Sequence, residues 1–143
     1  MKGLFRKILC PIDFGRISIP AIKLARRLAE DSDAAVCLLC VVPKQKPAGA
    51  EPGLEQFATD SLRAVARKWL EGKVRYEIVV RAGKPALAVI KAAEELGADA
   101  IVMATHGRTG KARTRLGSVT EHVVRQSTRP VITIRPVSTG DGD

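Results

Sequence analysis

Aromatic residues are scarce in this 143-residue chain: three Phe, one Tyr and one Trp make up 3% of it. So few flat side chains leave little to stack on nucleic-acid bases, and Trp69 and Phe57 suit a helix core face better than a base platform. Nucleic acid is therefore not an expected partner. Long hydrophobic runs are also missing. No stretch approaches the ~20 apolar residues that span a bilayer. The apolar segment 8–12 contains Pro11 and ends at Asp13, too short for the core of a secretory signal. No membrane association and a cytoplasmic location are expected. Cysteine is limited to three residues, an odd number that does not suit a disulfide framework. Cys37 and Cys40 lie three apart in an apolar stretch, residues 34–42, that reads as a strand. Residues three apart on a strand face opposite ways, so the two thiols should not converge on a metal and are expected in the core. Two familiar phosphate fingerprints are absent. Gly107 stands too close to Gly110-Lys111 for a P-loop, Ala112 replaces the required hydroxyl, and no G-x-G-x-x-G follows the first strand.

What is present is a chain 45% hydrophobic, rich in Val, Ile, Leu and Ala. Branched aliphatics in short runs suit a parallel sheet buried on both faces. The net charge of +9 favours anionic partners without choosing among them, and scattered Lys and Arg also serve solubility. Apolar runs alternate with helical periodicity. Strands are expected at residues 7–12, 34–42, 74–80, 100–104 and 130–134. Helices are expected at 18–30, 54–70, from Pro85 to Gly97, and from Ser118 to about Ser127. The second helix would turn Leu54, Phe57, Ser61, Leu62, Val65 and Trp69 inward. The third would turn Leu87, Ile90, Ala93 and Leu96 inward. Pro85 in a first turn and Gly97 after a last one are ordinary helix punctuation. Residues 43–53, with three prolines and two glycines, read as a loop that could be a lid or a linker. Residues 1–137 form one expected domain and 138–143 a disordered tail.

This β-α-β-α-β-α-β-α-β order implies an α/β fold: an open, doubly wound, Rossmann-like parallel sheet of five strands in the order 3-2-1-4-5, with helices on both faces. In that order the winding reverses between strands one and four. Ligands bind at such a switch point, beyond the carboxyl ends of the strands. Those ends are Asp13 and Ala104.

The segment after Ala104 carries the chemistry. Gly107 and Gly110 allow successive N–H groups to face one side, and Gly117 lets backbone pass close to a ligand. Ser118-Val119-Thr120-Glu121 has the form of a capping box, with Ser118 as the expected N-cap. The first turn of that helix offers free N–H groups and the positive end of a dipole. Arg108, Lys111, Arg113 and Arg115 add positive charge, with no acid between Gly107 and Gly117. A phosphate chain is the natural guest, against the plainer alternative of a capped helix behind a solvated loop. His106 lies in the loop within reach of a phosphate. His122, inside the fourth helix, reads as structural, and neither histidine builds a catalytic constellation.

The chain from residue 7 to 136 resembles the universal stress protein family. The opening ILCPIDFGRIS is similar to that family's first strand and its exit, with Asp13 at the acidic position and Ser18 following. Gly107, nine residues, then Gly117-Ser118 match the end of its G-x2-G-x9-G-[ST] motif, and RPVITIRP resembles its last strand. One position departs: Ala104 stands at the first motif glycine. A need for positive φ there would strain alanine; a need only for a small side chain would not. The resemblance implies an adenine nucleotide, ATP or else ADP or AMP, as ligand. Pro11, Ile12, Asp13 and Val41 would line the adenosine end, Val41 through its backbone. Met103 and Ala104 would flank the nucleoside, and Asp13 would approach the ribose or a Mg²⁺ ion. His106, Gly107, Arg108, Gly117, Ser118, Val119 and Thr120 would surround the phosphates.

A nucleotide-binding regulatory protein of the stress response follows as the expected function. No Ser-His-Asp set or metal cluster demands catalysis. The alternatives are a weak ATPase or autophosphorylating enzyme, with Ser118 or Thr120 as acceptor, and a nucleotide-free interaction module. Val131–Ile134 reads as an edge strand, and exposed edges invite pairing. The resemblance implies a homodimer through it, which proline at Ile132 should block.

Overall fold

A computed structural model describes residues 3–14, 19–44, 53–105 and 116–135. Nine elements follow one another: β1 (Lys7–Pro11), α1 (Ile19–Ser32), β2 (Ala35–Val42), α2 (Leu54–Trp69), β3 (Tyr76–Ala82), α3 (Pro85–Glu95), β4 (Ala100–Ala104), α4 (Ser118–Gln126) and β5 (Val131–Ile134). The strands pair in parallel in the order β3-β2-β1-β4-β5. The expected topology is the observed one.

Strands β2 and β4, and β1 from Ile8 onward, are apolar at every position because both of their faces are covered. Ile8 and Cys10 of β1 join Ile22, Ala25, Leu62 and Ala66 of α1 and α2 in one core. Leu9 joins Ala86, Val89, Ala93 and Val123 of α3 and α4 in the other. Cys37 and Cys40 divide between the two cores, as their spacing required. Burial pushes the thiols of Cys10 and Cys37 up to about 12. They behave as small apolar side chains.

The helices meet the sheet through small residues. On α2 the buried positions are Ala58, Leu62 and Ala66, while Phe57 is 62% exposed. On α3 they are Ala86, Val89, Ala92 and Ala93, while Leu87 is 51% exposed. Both inward faces are rotated from those expected. Alanine lets a helix backbone approach the sheet closely, and the large side chains then splay to the flanks. Strand β3 begins at Tyr76, two residues later than expected. The N–H groups of Lys73 and Val74 are held by the Leu70 carbonyl at 2.9 and 3.1 Å, which keeps that stretch in a turn.

Two helices end in the same way. After α3, Gly97 adopts φ +70° and the Ala98 N–H returns to the Ala93 carbonyl at 2.9 Å. After α1, Asp33 adopts φ +56° and the Ala34 N–H returns to the Ala29 carbonyl at 2.8 Å. Both are left-handed caps that satisfy late carbonyls. Asp33 is held there by Arg75, whose Nη2 donates to its carbonyl at 2.7 Å. A Cβ at Gly97 would meet nothing within 4 Å, so its cost is conformational alone. Gly97→Ala should lower stability by about 1 kcal/mol in urea unfolding, and Gly97→Asn by less, since asparagine tolerates this region. Equal stability of the alanine variant and the parent would refute the cap.

Candidate functional site

Strands β1 and β2 stay paired through Pro11↔Leu39, and the Ile12 N–H reaches the Leu39 carbonyl at 2.7 Å. On the other side of β1 the pairing is shorter. It joins β4 at Ile8↔Ala100 and Leu9↔Ile101. Strand β4 itself continues, paired with β5 as far as Ala104↔Ile134. Beyond Leu9 and Ile101, β1 therefore follows β2 while β4 follows β5. The crevice between them is the switch point of the sheet.

The residues around this crevice come from three strand ends and one helix start. Ile12 (6% exposed) and Met103 (7%) are buried, one in each core. Pro11, Val41 and Ala104 are half-buried, and Asp13 is exposed. Cys40, just before Val41, was expected only as core. Burial raises its thiol's pKa, and the nearby Asp13 carboxylate adds to the effect. Cys40 thus stands beside the acidic residue of the site. Its proximity to Asp13 depends on how far β1 runs past its pairing, which no spacing in the sequence reveals.

The start of α4 is tied to the end of β4 by two hydrogen bonds. The Gly117 N–H donates to the Thr105 carbonyl at 2.6 Å, and Thr120 Oγ1 donates to the Ala104 carbonyl at 2.8 Å. Thr105 N–H in turn donates to the Ile134 carbonyl at 2.9 Å. Among the described residues Thr120 is the one buried polar side chain, 4% exposed. Its hydroxyl is committed to the strand, a structural role that sequence reasoning missed because Thr120 stood in a motif for capping.

The cap itself differs from expectation. Gly117 is the N-cap, Ser118 is the first helical residue, and no side chain caps the helix. The Gly117 carbonyl already accepts from the Glu121 N–H at 2.8 Å, so the helix begins one residue early. Glu121 pairs with Arg125 at 2.9 Å instead of reaching back. The first-turn N–H groups thus keep their anion-binding capacity. Ser118 and Val119 are exposed, as is His122, which is not a core residue.

Two conformational questions are settled by the backbone. Asp33 is the only non-glycine residue with positive φ among those described, so Ala104 sits unstrained on β4. Gly117 has φ −65° and ψ 162°, extended backbone open to any residue. His106, Gly107 and Arg108 lie outside the described residues, as do Ser18 and the stretches 45–52 and 136–143. Among the described residues no group of three His, Cys, Asp or Glu is arranged to hold a metal ion. No described helix is long and apolar enough to cross a membrane. A cavity of about 540 Å³ lies at the other end of the sheet, lined by Glu30, Asp33, Lys73 and Arg75 among others, and is not part of this crevice.

Thr120→Val keeps the shape of the side chain and removes the hydroxyl from the Ala104 carbonyl. It should cost about 1–2 kcal/mol in denaturant unfolding, while Thr120→Ser retains most of the stability. A valine variant as stable as the parent would show that the bond does not matter.

The family model for the universal stress protein family matches residues 4–135. The chain is 32% identical to the universal stress protein MJ0531 of Methanocaldococcus jannaschii over 143 residues, covering 94% of this chain and 84% of that protein. Among solved structures, the hypothetical protein MJ0577 of the same organism superposes with a TM-score of 0.80 at 26% identity, covering 94% of this chain and 99% of that one. The universal stress protein of Archaeoglobus fulgidus in complex with dAMP superposes with a TM-score of 0.64 at 22% identity, covering 92% and 99%.

Proposed function

The chain belongs to the universal stress protein family, and from that premise we propose that it binds an adenine nucleotide, ATP in the first instance, in the crevice between β1 and β4. The observation that carries the reading is the tie between Gly117 and Thr105. It brings both ends of segment 106–116 to the mouth of the crevice, beside the uncapped start of α4. A relative of the same fold is described with dAMP, a nucleotide of the same base.

The residues present fit such a ligand. Ile12, Val41 and Met103 offer apolar walls for adenosine, and Ala104 keeps the floor low. The first turn of α4 would receive phosphate, with His106, Gly107 and Arg108 approaching from the loop. Asp13 would face the ribose or hold Mg²⁺, whose remaining ligands would come from phosphate oxygens and water. The bound nucleotide would set the shape of a surface read by partners, a regulatory role in the stress response. Of the two hydroxyls considered as phosphate acceptors, Thr120 is buried and already donating, which leaves Ser118 for an autophosphorylating alternative. Phosphate appearing on Ser118 from labelled ATP would favour that alternative.

The test is calorimetric titration of nucleotide-stripped protein with Mg-ATP and with AMP, beside Gly117→Val. The backbone at Gly117 accommodates valine without strain, so the variant should fold. Saturable binding by the parent and its loss in the variant are expected. No binding by the parent would overturn the reading in favour of a nucleotide-free interaction module.

The same premise supports a homodimer through β5, an edge of the sheet. The carbonyls of Pro130 and Ile134 accept from Ile101 and Thr105 of β4 at 2.9 Å each. Even-numbered residues of β5 thus direct their backbone groups at β4, and Thr133 directs its own to the open edge. Proline at Ile132 would break the sheet itself, so the probe belongs at Thr133. Thr133→Pro should shift the protein from dimer to monomer in light scattering with its unfolding midpoint little changed. A dimer that survives the substitution would exclude pairing through this edge.

A further inference from the structure

The net charge of +9 is not spread evenly in its pairing. On α1, Lys23, Arg26, Arg27 and Glu30 follow one another at helical spacing and form one stripe. Opposite them, α2 ends in Arg67, Lys68 and Trp69, the only tryptophan of the chain. The Lys23 Nζ lies 5.3 Å from the Trp69 ring centroid and the Lys68 Nζ 5.5 Å from it. Arg26 Nη1 donates to the Trp69 carbonyl at 3.0 Å, which fixes the end of α2 against α1. Arg26 Nε is buried without a hydrogen-bond partner.

The acid of the stripe, Glu30, is in none of the ion pairs found among the described residues. Among the described residues the ion pairs join Lys7–Glu77, Arg63–Asp60, Arg75–Asp33, Lys91–Glu95 and Arg125–Glu121, and none includes Lys23, Arg26 or Lys68. Two ammonium ions sharing one indole repel each other. Each gains only a little from the ring at an exposed site. A carboxylate reaching these ammonium ions from solvent would offset that repulsion with attraction.

We propose that the seam between α1 and α2, centred on Lys23, Trp69 and Lys68, is a docking surface for an acidic segment of a partner protein. The occupant is a carboxylate-bearing peptide because the patch is compact. Lys23 to Arg27 spans about 6 Å of helix, enough for two neighbouring carboxylates and short for a tracked phosphate backbone. Trp69 is half-buried with both ammonium ions near its ring, which leaves little of it for a base to stack on. The surface lies on the outside of the two helices that cover one face of the sheet, so the proposal does not rest on the nucleotide reading.

The single tryptophan makes the surface directly observable. The full-length protein is titrated at low salt with dye-labelled decaglutamate, followed by anisotropy and by Trp69 emission. A deoxythymidine decanucleotide serves as the competing polyanion. Saturable binding that changes Trp69 emission is expected with decaglutamate. Lys23→Gln/Lys68→Gln should weaken it about tenfold, as two exposed charges permit. Lys84→Gln/Lys91→Gln, at the N-cap and middle of α3 on the other face, removes the same charge and should leave it unchanged. Equal weakening in both double variants would overturn the proposal by reducing the effect to net charge. So would tighter binding of the decanucleotide, or the absence of any saturable change.

Discussion

The parting of β1 from β4 is the constraint on which the rest of the molecule depends. Right-handed crossovers put α1 and α2 on one face and α3 and α4 on the other. The chain must reverse its winding direction between β1 and β4 to do so. Pairing between the two stops at Leu9↔Ile101: the Ile12 N–H goes to β2, so Pro11 faces β4 and has no N–H to give it. The crevice beyond is therefore placed by topology, and Pro11 ends the pairing that would continue into it. Its walls come from residues whose first duty is packing: Ile12 belongs to one core and Met103 to the other.

That origin explains why the site is apolar at its base and polar only at its rim. Ile12 and Met103 are buried, whereas Asp13 and Ser118 sit where strand or helix meets solvent. Cys40 stands at the boundary. Its thiol is held neutral by burial and further by the Asp13 carboxylate, so it adds volume to the site without adding charge. The carboxylate remains the one acidic group contributed by the strand ends named here.

The strands were legible because a fully buried strand must be apolar at successive positions, and residues 8–10, 36–40 and 100–103 obey this. The order of the sheet then followed from chain order and handedness. The helix faces were less legible. A periodicity read from Leu, Ile and Phe weights size, while close helix–sheet contact selects Ala58, Ala66, Ala86 and Ala92. Phe57 and Leu87 were accordingly placed inside and lie outside. The cap of α4 was misread for a related reason. Ser118 and Glu121 have the composition of a capping box, yet the helix start is set by Gly117 binding Thr105, a contact across twelve residues of chain that no local pattern encodes. Of the expected site, the strand-end residues Pro11 to Asp13, Val41, Met103 and Ala104 lie at the carboxyl end of the sheet. The loop residues His106, Gly107 and Arg108 lie outside the described residues.

Alanine at position 104 gains its meaning from Thr120. The last residue of β4 is extended, paired with Ile134, and its carbonyl accepts the buried Thr120 hydroxyl. None of these conditions calls for positive φ, which is the property that would reserve the position for glycine. The half-buried place at the strand end, on the same face as Val102, asks only for a side chain that fits it. Alanine meets that demand, and it restricts the unfolded chain more than glycine would, a small gain in stability where the native conformation is compatible. The departure from the glycine motif is thus a change in conformational entropy at a fixed geometry. The bond from Thr120 is made to the backbone carbonyl, and it is indifferent to the choice between the two smallest residues.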